Sequence, residues 1–220
     1  MKNKLFVSVL INVIVLLLLV SSFVKDYTVE KESVSKIDTI YIQRHITIAD
    51  TLYDMSKYRN AIGMIESGNN YTKRRPKSQY WGKYQIGKDE REYLGLKNIS
   101  WEQFKKNPEL QDAAFDLLVA TTREKFINHI TEDGDTINYL KIYSNIVINH
   151  HYITESGIVS MAHIAGVTGT KKFLKSFGKI KPKDGFGTQA SSYLSLSNYN
   201  INIPVEQAQQ KLNEILKTIN

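Results

Sequence analysis

The sequence predicts a mainly α-helical domain with a small loop or hairpin segment, preceded by a hydrophobic N-terminal helix. Three observations predict it. Apolar residues recur at helical spacing in several separate stretches. Helix starts and stops are written locally, at Gly68-Asn69-Asn70, Ser100-Trp101-Glu102-Gln103 and Asn107-Pro108. Leu5–Val24 is almost wholly apolar, interrupted only by Ser8, Asn12, Ser21 and Ser22.

That first segment is long enough to cross a bilayer, which takes about 20 residues as a helix. Lys2 and Lys4 precede it, so the short N-terminus should stay inside and the body should be exported. Two outcomes stand: a retained anchor, which the length favours, or a signal peptide cut near Val20-Ser21-Ser22, which the small residues favour. Anchoring in the inner membrane by residues 5–24, with the body in the cell envelope or periplasm, is the preferred expectation. The chain has no Cys, which excludes disulfides and lipid attachment through a cysteine.

The 220 residues suffice for one ordinary domain with an accessory segment. Residues 1–24 form the anchor or signal, and residues 25–48 a charged stalk with a partly alternating run at Val34–Ile42. Residues 49–198 form the main domain and residues 199–220 a C-terminal amphipathic helix. The formal charge is +7, and Lys2, Lys4 and Lys25 supply part of it before the first acid. No dense Lys/Arg stripe appears, so nothing calls for nucleic acid, while a mildly basic body suits an anionic polymer. Lys73-Arg74-Arg75, with Lys77, is the one local cluster.

From about Ala49, Leu52, Met55, Ile62 and Ile65 mark one helical face that Gly68-Asn69-Asn70 stops. Tyr71–Gly87 follows as loop or short hairpin. Ser100 and Gln103 form a capping box, and Asn107-Pro108 opens a helix running to about His129 that buries Leu110, Ala114, Leu117, Leu118 and Phe126. Glu132–Asp135 is a turn, Thr136–Asn149 and Ile158–Ala165 are helices, and Phe177–Thr188 is loop. Val205, Ala208, Leu212, Ile215, Leu216 and Ile219 line the last helix.

Glu66 is the candidate for chemistry. It stands at a helix C-terminus, where the helix dipole opposes an anion, and beside apolar residues that oppose it too. Both favour the protonated carboxyl that a general acid needs. An ordinary exposed helix-end glutamate is the competing reading. No metal or cofactor site is expected: His150-His151 are adjacent and point apart on a helix, and Glu132–Asp135 lacks calcium-loop spacing.

Glu66-Ser67-Gly68, followed sixteen residues on by Gly82-Lys83-Tyr84-Gln85-Ile86, resembles the signature of the lysozyme-like lytic transglycosylases of the goose-type lysozyme superfamily. Asn107-Pro108-Glu109-Leu110-Gln111 is similar to the family's Pro-x-x-Gln helix start. Ala162-His163-Ile164-Ala165-Gly166 stands at the place of its Ala-Tyr-Asn-Ala-Gly. The four motifs keep the family's order over about Thr51–Tyr193. The resemblance implies a lysozyme-like helical fold, peptidoglycan glycan strands as substrate, no cofactor, and Glu66 as general acid and then base. Ser67, Tyr84, Gln85 and His163 would line the substrate cleft. Ser67 also reads as a helix-end hydroxyl bonding its own backbone, and Tyr84 as a core residue.

One position departs from the family. His163 replaces the tyrosine whose hydroxyl addresses the acid. Tyr193 is a candidate substitute hydroxyl, although a packed surface tyrosine is the expectation for it. A glycosidase with a second carboxylate needs it about 5 Å away if retaining and about 6.5–9.5 Å away if inverting. Asp89, Glu90, Glu92 and Asp184 are candidates without a motif. The transglycosylase route needs none. A hydrolytic muramidase and a non-catalytic wall-binding or assembly module remain the alternatives.

Overall fold

The computed structural model describes residues 55–74, 79–184 and 187–219. The hydrophobic segment, the stalk and residues 49–54 lie outside them. Among the described residues no helix is long and apolar enough to cross a membrane.

The elements run α1 (Ser56–Ser67), α2 (Lys88–Tyr93), α3 (Trp101–Lys105), α4 (Pro108–Ile127), β1 (His129–Ile130), β2 (Thr136–Ile137), α5 (Tyr139–Tyr143), β3 (Val147–Ile148), β4 (His151–Tyr152), α6 (Glu155–Lys175), a 3₁₀ turn Ala190–Ser195, and α7 (Val205–Ile219). The described chain is therefore mainly helical, with two small antiparallel hairpins.

α4 is the spine. Leu110, Ala113, Ala114, Phe115, Leu117, Val119, Ala120 and Phe126 are all buried, which covers nearly every face of the helix. A helix apolar all round must lie inside, and α3, α5, α6 and α7 all pack against it. The sequence starts it cleanly. Pro108 sits in its first turn, and the Asn107 side chain accepts from the Leu110 N–H at 3.0 Å. The capping box at the start of α3 also forms, with the Gln103 N–H donating to Ser100 Oγ. α7 buries Ala208 and Leu212, and its nearest neighbour is α4.

Several details differ from expectation. α1 begins at Ser56, directly after Met55, and the expected start near Ala49 with Leu52 lies outside the described residues. Ile65, expected on the buried face, is 50% exposed, because the apolar face of α1 is made by Tyr58 and Ile62 instead. Thr136–Asn149 is not one helix. It breaks into β2, α5 and β3, since Asn145, Asn149 and His150 adopt left-handed backbone. The last two close a two-residue hairpin between Ile148 and His151, the geometry whose twist suits paired strands.

α6 is longer than the expected Ile158–Ala165 and is broken at Gly166 (φ 64°, ψ 168°). Its N-terminal half holds the 3₁₀ turn. Thr154 caps it, Ser156 Oγ donates to the Leu196 carbonyl at 2.9 Å, and Gly157 lets the backbone of Leu194 come close. A Cβ on Gly157 would lie 3.1 Å from the Leu194 carbonyl oxygen. These contacts seat the 3₁₀ turn that carries Tyr193 against α6.

Candidate active site

Gly68 ends α1 in the left-handed region (φ 70°), its N–H donating to the Met64 carbonyl and that of Asn69 to the Gly63 carbonyl. The chain is thereby turned away one residue after Ser67, which leaves Glu66 on the last turn with its side chain 12% exposed. Ser67 Oγ donates to the carbonyls of Lys83 (2.8 Å) and Gly63 (3.2 Å) and accepts from the Asn70 N–H. The hydroxyl ties the end of α1 to the following loop, so its role is bracing.

That loop is a narrow turn. Trp81 and Ile86 exchange backbone hydrogen bonds at 3.1 and 3.0 Å, and Gly82 through Gln85 cross between them. Gly82 has φ 73°, and a Cβ there would meet Gln111 Oε1 at 2.0 Å. Gln111 explains the closeness. Fully buried on α4, it accepts from the Lys83 N–H at 2.9 Å and donates to the carbonyls of Tyr71 and Phe104. One side chain thus fastens both ends of the loop to the spine. Sequence reading quoted Gln111 as part of a motif without giving it this role.

Tyr84 is fully buried and stacked on Phe115, with centroids 4.1 Å apart and planes 8° from parallel. It packs in the core and presents no face to a sugar, contrary to the expectation of a cleft residue. Its hydroxyl donates to Asp112 at 2.6 Å, an acceptor shared with the Tyr71 hydroxyl at 2.9 Å. Burial, and then the Asp112 anion, pushes the Tyr71 phenol up to about 12 and raises that of Tyr84 further. Lys83 threads beside them and donates to Asn60 and the Tyr71 hydroxyl; burial lowers its pKa. Gln85 adopts a left-handed backbone (φ 48°) and donates its amide to the Gly82 carbonyl at 2.8 Å. Its side chain shapes the turn and stays partly exposed.

His163 and Tyr193 converge on the acid. His163 Nε2 lies 3.0 Å from the Tyr84 carbonyl oxygen and 3.6 Å from Glu66 Oε1. A carbonyl only accepts, so Nε2 carries the hydrogen. The ring is further held edge-on by Phe115. The Tyr193 hydroxyl donates to Glu66 Oε1 at 2.6 Å, and Tyr193 is only 5% exposed. The expectation of a packed surface tyrosine therefore gives way to a direct partner of the acid. Burial, followed by the bond to Glu66, raises the Tyr193 phenol well above its ordinary value, so it stays a neutral donor.

Next to His163 a pocket opens between α4 and α6, lined by Phe115, Leu118, Val119, Val159 and Ala162, with Tyr58 and Glu90 at its boundary. Glu90 Oε2 accepts from the Gly87 N–H at 2.6 Å. Of the four acidic candidates for a second carboxylate, Glu90 lines this pocket, which Glu66 does not, while Asp184 is near enough to Tyr193 to raise its phenol further. Among the described residues no group of three His, Asp or Glu side chains is placed to hold a metal.

No protein-family model, curated protein or solved structure matches the chain.

Proposed function

We propose that the chain is a lysozyme-like lytic transglycosylase that cleaves the β-1,4 bond between N-acetylmuramic acid and N-acetylglucosamine in peptidoglycan. The observation that carries this reading is the Tyr193 hydroxyl 2.6 Å from Glu66 Oε1, at a half-dry helix end that His163 also faces. It supplies from a new position the hydroxyl partner that the His163 substitution removes.

In the proposed reaction the protonated Glu66 gives its proton to the bridging oxygen as the C1–O bond breaks. The neighbouring acetamido oxygen of the muramyl sugar supports C1. Glu66, now a carboxylate, removes the proton of the muramyl 6-hydroxyl as O6 closes on C1, giving a 1,6-anhydro ring. The proton is back on Glu66, and no water is consumed. Both contacts described for Glu66 use Oε1, so Oε2 is assigned to the substrate. Tyr193 orients the carboxyl without competing for its proton. His163, anchored on the Tyr84 carbonyl, sets the distance between the loop and α1. On this reading the body works in the envelope, held near the inner membrane by residues 5–24.

A hydrolytic muramidase is the second reading, and Asp184 favours it. Its charge reaches Tyr193 beside Glu66, where a second carboxylate could direct water to C1.

Muropeptides released from purified sacculi separate these readings. Anhydro-muramic ends support the lyase and reducing ends the hydrolase. Glu66→Gln should lower release about 10²–10⁴-fold, the usual worth of a positioned general acid or base. Unchanged digestion by that variant refutes both. A parent that pellets with sacculi without releasing muropeptides would be a binding module.

A further inference from the structure

The acid's loop also carries a stack of indole and guanidinium groups that the reaction does not use. Arg91 lies over the Trp81 ring, 3.7 Å from its centroid, and is pinned there by donating to the carbonyls of Gln79 (2.7 Å) and Ile86 (2.6 Å). Trp101 meets Trp81 edge-on, with centroids 5.6 Å apart. Arg74 stands 5.5 Å from the centroids of both indoles. Such cation–aromatic contacts hold a guanidinium in place without consuming its hydrogen-bond donors.

The two arginines differ in access. Arg91 is buried, and burial draws its pKa down to about 10 against the opposing pull of the Glu90 carboxylate. Arg74 is exposed. Among the described residues neither makes a salt bridge with a carboxylate. Arg91 already feels the charges of Glu90 and Glu92, whereas Arg74, exposed and in no salt bridge among the described residues, keeps its donors open to an anion from outside.

The stack adjoins the acid through the backbone. Trp81 pairs with Ile86 across the turn whose Tyr84 carbonyl holds His163, and the Gln85 amide reaches the carbonyl of Lys73, the neighbour of Arg74. Peptidoglycan carries carboxylates on its peptide stems, and a stacked guanidinium presents paired N–H donors that match a carboxylate's two oxygens.

We propose that Arg74, presented on the Trp81–Trp101 shelf, is a subsite for the carboxylates of the peptide stems. This inference rests on peptidoglycan being the substrate. It makes the protein a reader of stem peptides as well as of sugar, so glycan with its stems intact is the preferred ligand.

The test uses the full chain carrying Glu66→Gln, so that nothing is cleaved, with co-sedimentation on intact sacculi and on sacculi stripped of stems by an amidase. Stripping should weaken binding, and adding Arg74→Gln should weaken binding to intact sacculi about ten-fold, the scale of one charged hydrogen-bonded contact. The same substitution should leave binding to stripped glycan unchanged and the melting temperature within about 2 °C. Equal affinity for intact and stripped glycan, or equal affinity with and without Arg74 on intact sacculi, overturns the subsite. Loss on both substrates also overturns it, since Arg74 would then serve the sugar or the fold. If the parent still releases muropeptides in those cases, the glycan-cleaving reading survives alone. If the parent neither binds nor cleaves, both fall together.

Discussion

Glu66 and Asp116 are both withdrawn from water, with side chains 12% and 3% exposed, yet their surroundings are opposite in kind. Asp116 Oδ2 is met by cations, the Arg59 guanidinium at 2.9 Å and Lys211 Nζ at 3.5 Å. Glu66 Oε1 is met by a phenol at 2.6 Å and an imidazole at 3.6 Å. The two cations tie α1 and α7 to α4 through Asp116 and partly offset the burial that raises the pKa of its carboxyl. A phenol orients a carboxyl while leaving its proton free to be exchanged. The comparison distinguishes a carboxylate suited to holding the fold from one suited to moving a proton.

The contrast can be broken by exchanging the consequences. Glu66→Gln should abolish glycan cleavage while leaving stability within about 1 kcal/mol, because an amide can still accept from Tyr193. Asp116→Ala should do the reverse. It removes a buried anion and leaves Arg59 only partly compensated, so chemical denaturation should show a loss of about 2–3 kcal/mol. Cleavage per folded molecule should stay near the parent's. If Asp116→Ala were catalytically dead while fully folded, the division of labour would be wrong.

Tyr193→Phe sharpens the comparison on the other side. It keeps the ring and removes only the donor, so cleavage should drop about 10–100-fold with a stability change of about 1 kcal/mol. Unchanged turnover on sacculi would show that the hydroxyl is merely packed there. The smallest effect belongs to Lys211→Met. With its side chain 49% exposed, Lys211 should contribute less than about 1 kcal/mol to a thermal or denaturant midpoint, and Arg59 should carry most of the pairing with Asp116.

What was legible in the sequence was local. Gly68 as a stop, the Ser100–Gln103 box and the Asn107-Pro108 start each depend on a few neighbouring residues, and each forms as expected. The apolar run from Leu110 to Ala120 announced a buried helix, although not that it would be the spine. The segment Thr136–Asn149 misled because its apolar spacing fits a helix. The deciding signal was the three left-handed positions, Asn145, Asn149 and His150, and only the asparagines advertise that preference.

The site divides the same way. Glu66 was found from its place at a helix end. Ser67 and Tyr84 each carry two readings in the sequence, cleft residue or else helix-end hydroxyl and core ring, and the packed partners Lys83, Asp112 and Phe115 that place them lie sixteen or more positions away. Tyr193 reads locally as a packed surface tyrosine; that its 3₁₀ turn lies on α6, with the Leu194 backbone against Gly157, depends on residues far from it in sequence. Arg59, Gln111 and Asp116 gave no warning of their roles, because a buried polar network is visible only once the helices are packed.

The bond between Tyr193 and Glu66 spans 127 positions. A ribosome adding about 5–20 residues per second delivers the acid roughly 6–25 seconds before its hydroxyl partner. Throughout that interval the nascent chain holds a carboxyl with nothing to orient it. The working pair comes into being only when Ala190–Ser195 settles against α6. The order of synthesis therefore acts as a clock, and it keeps the Glu66–Tyr193 pair unassembled until most of the domain has been made.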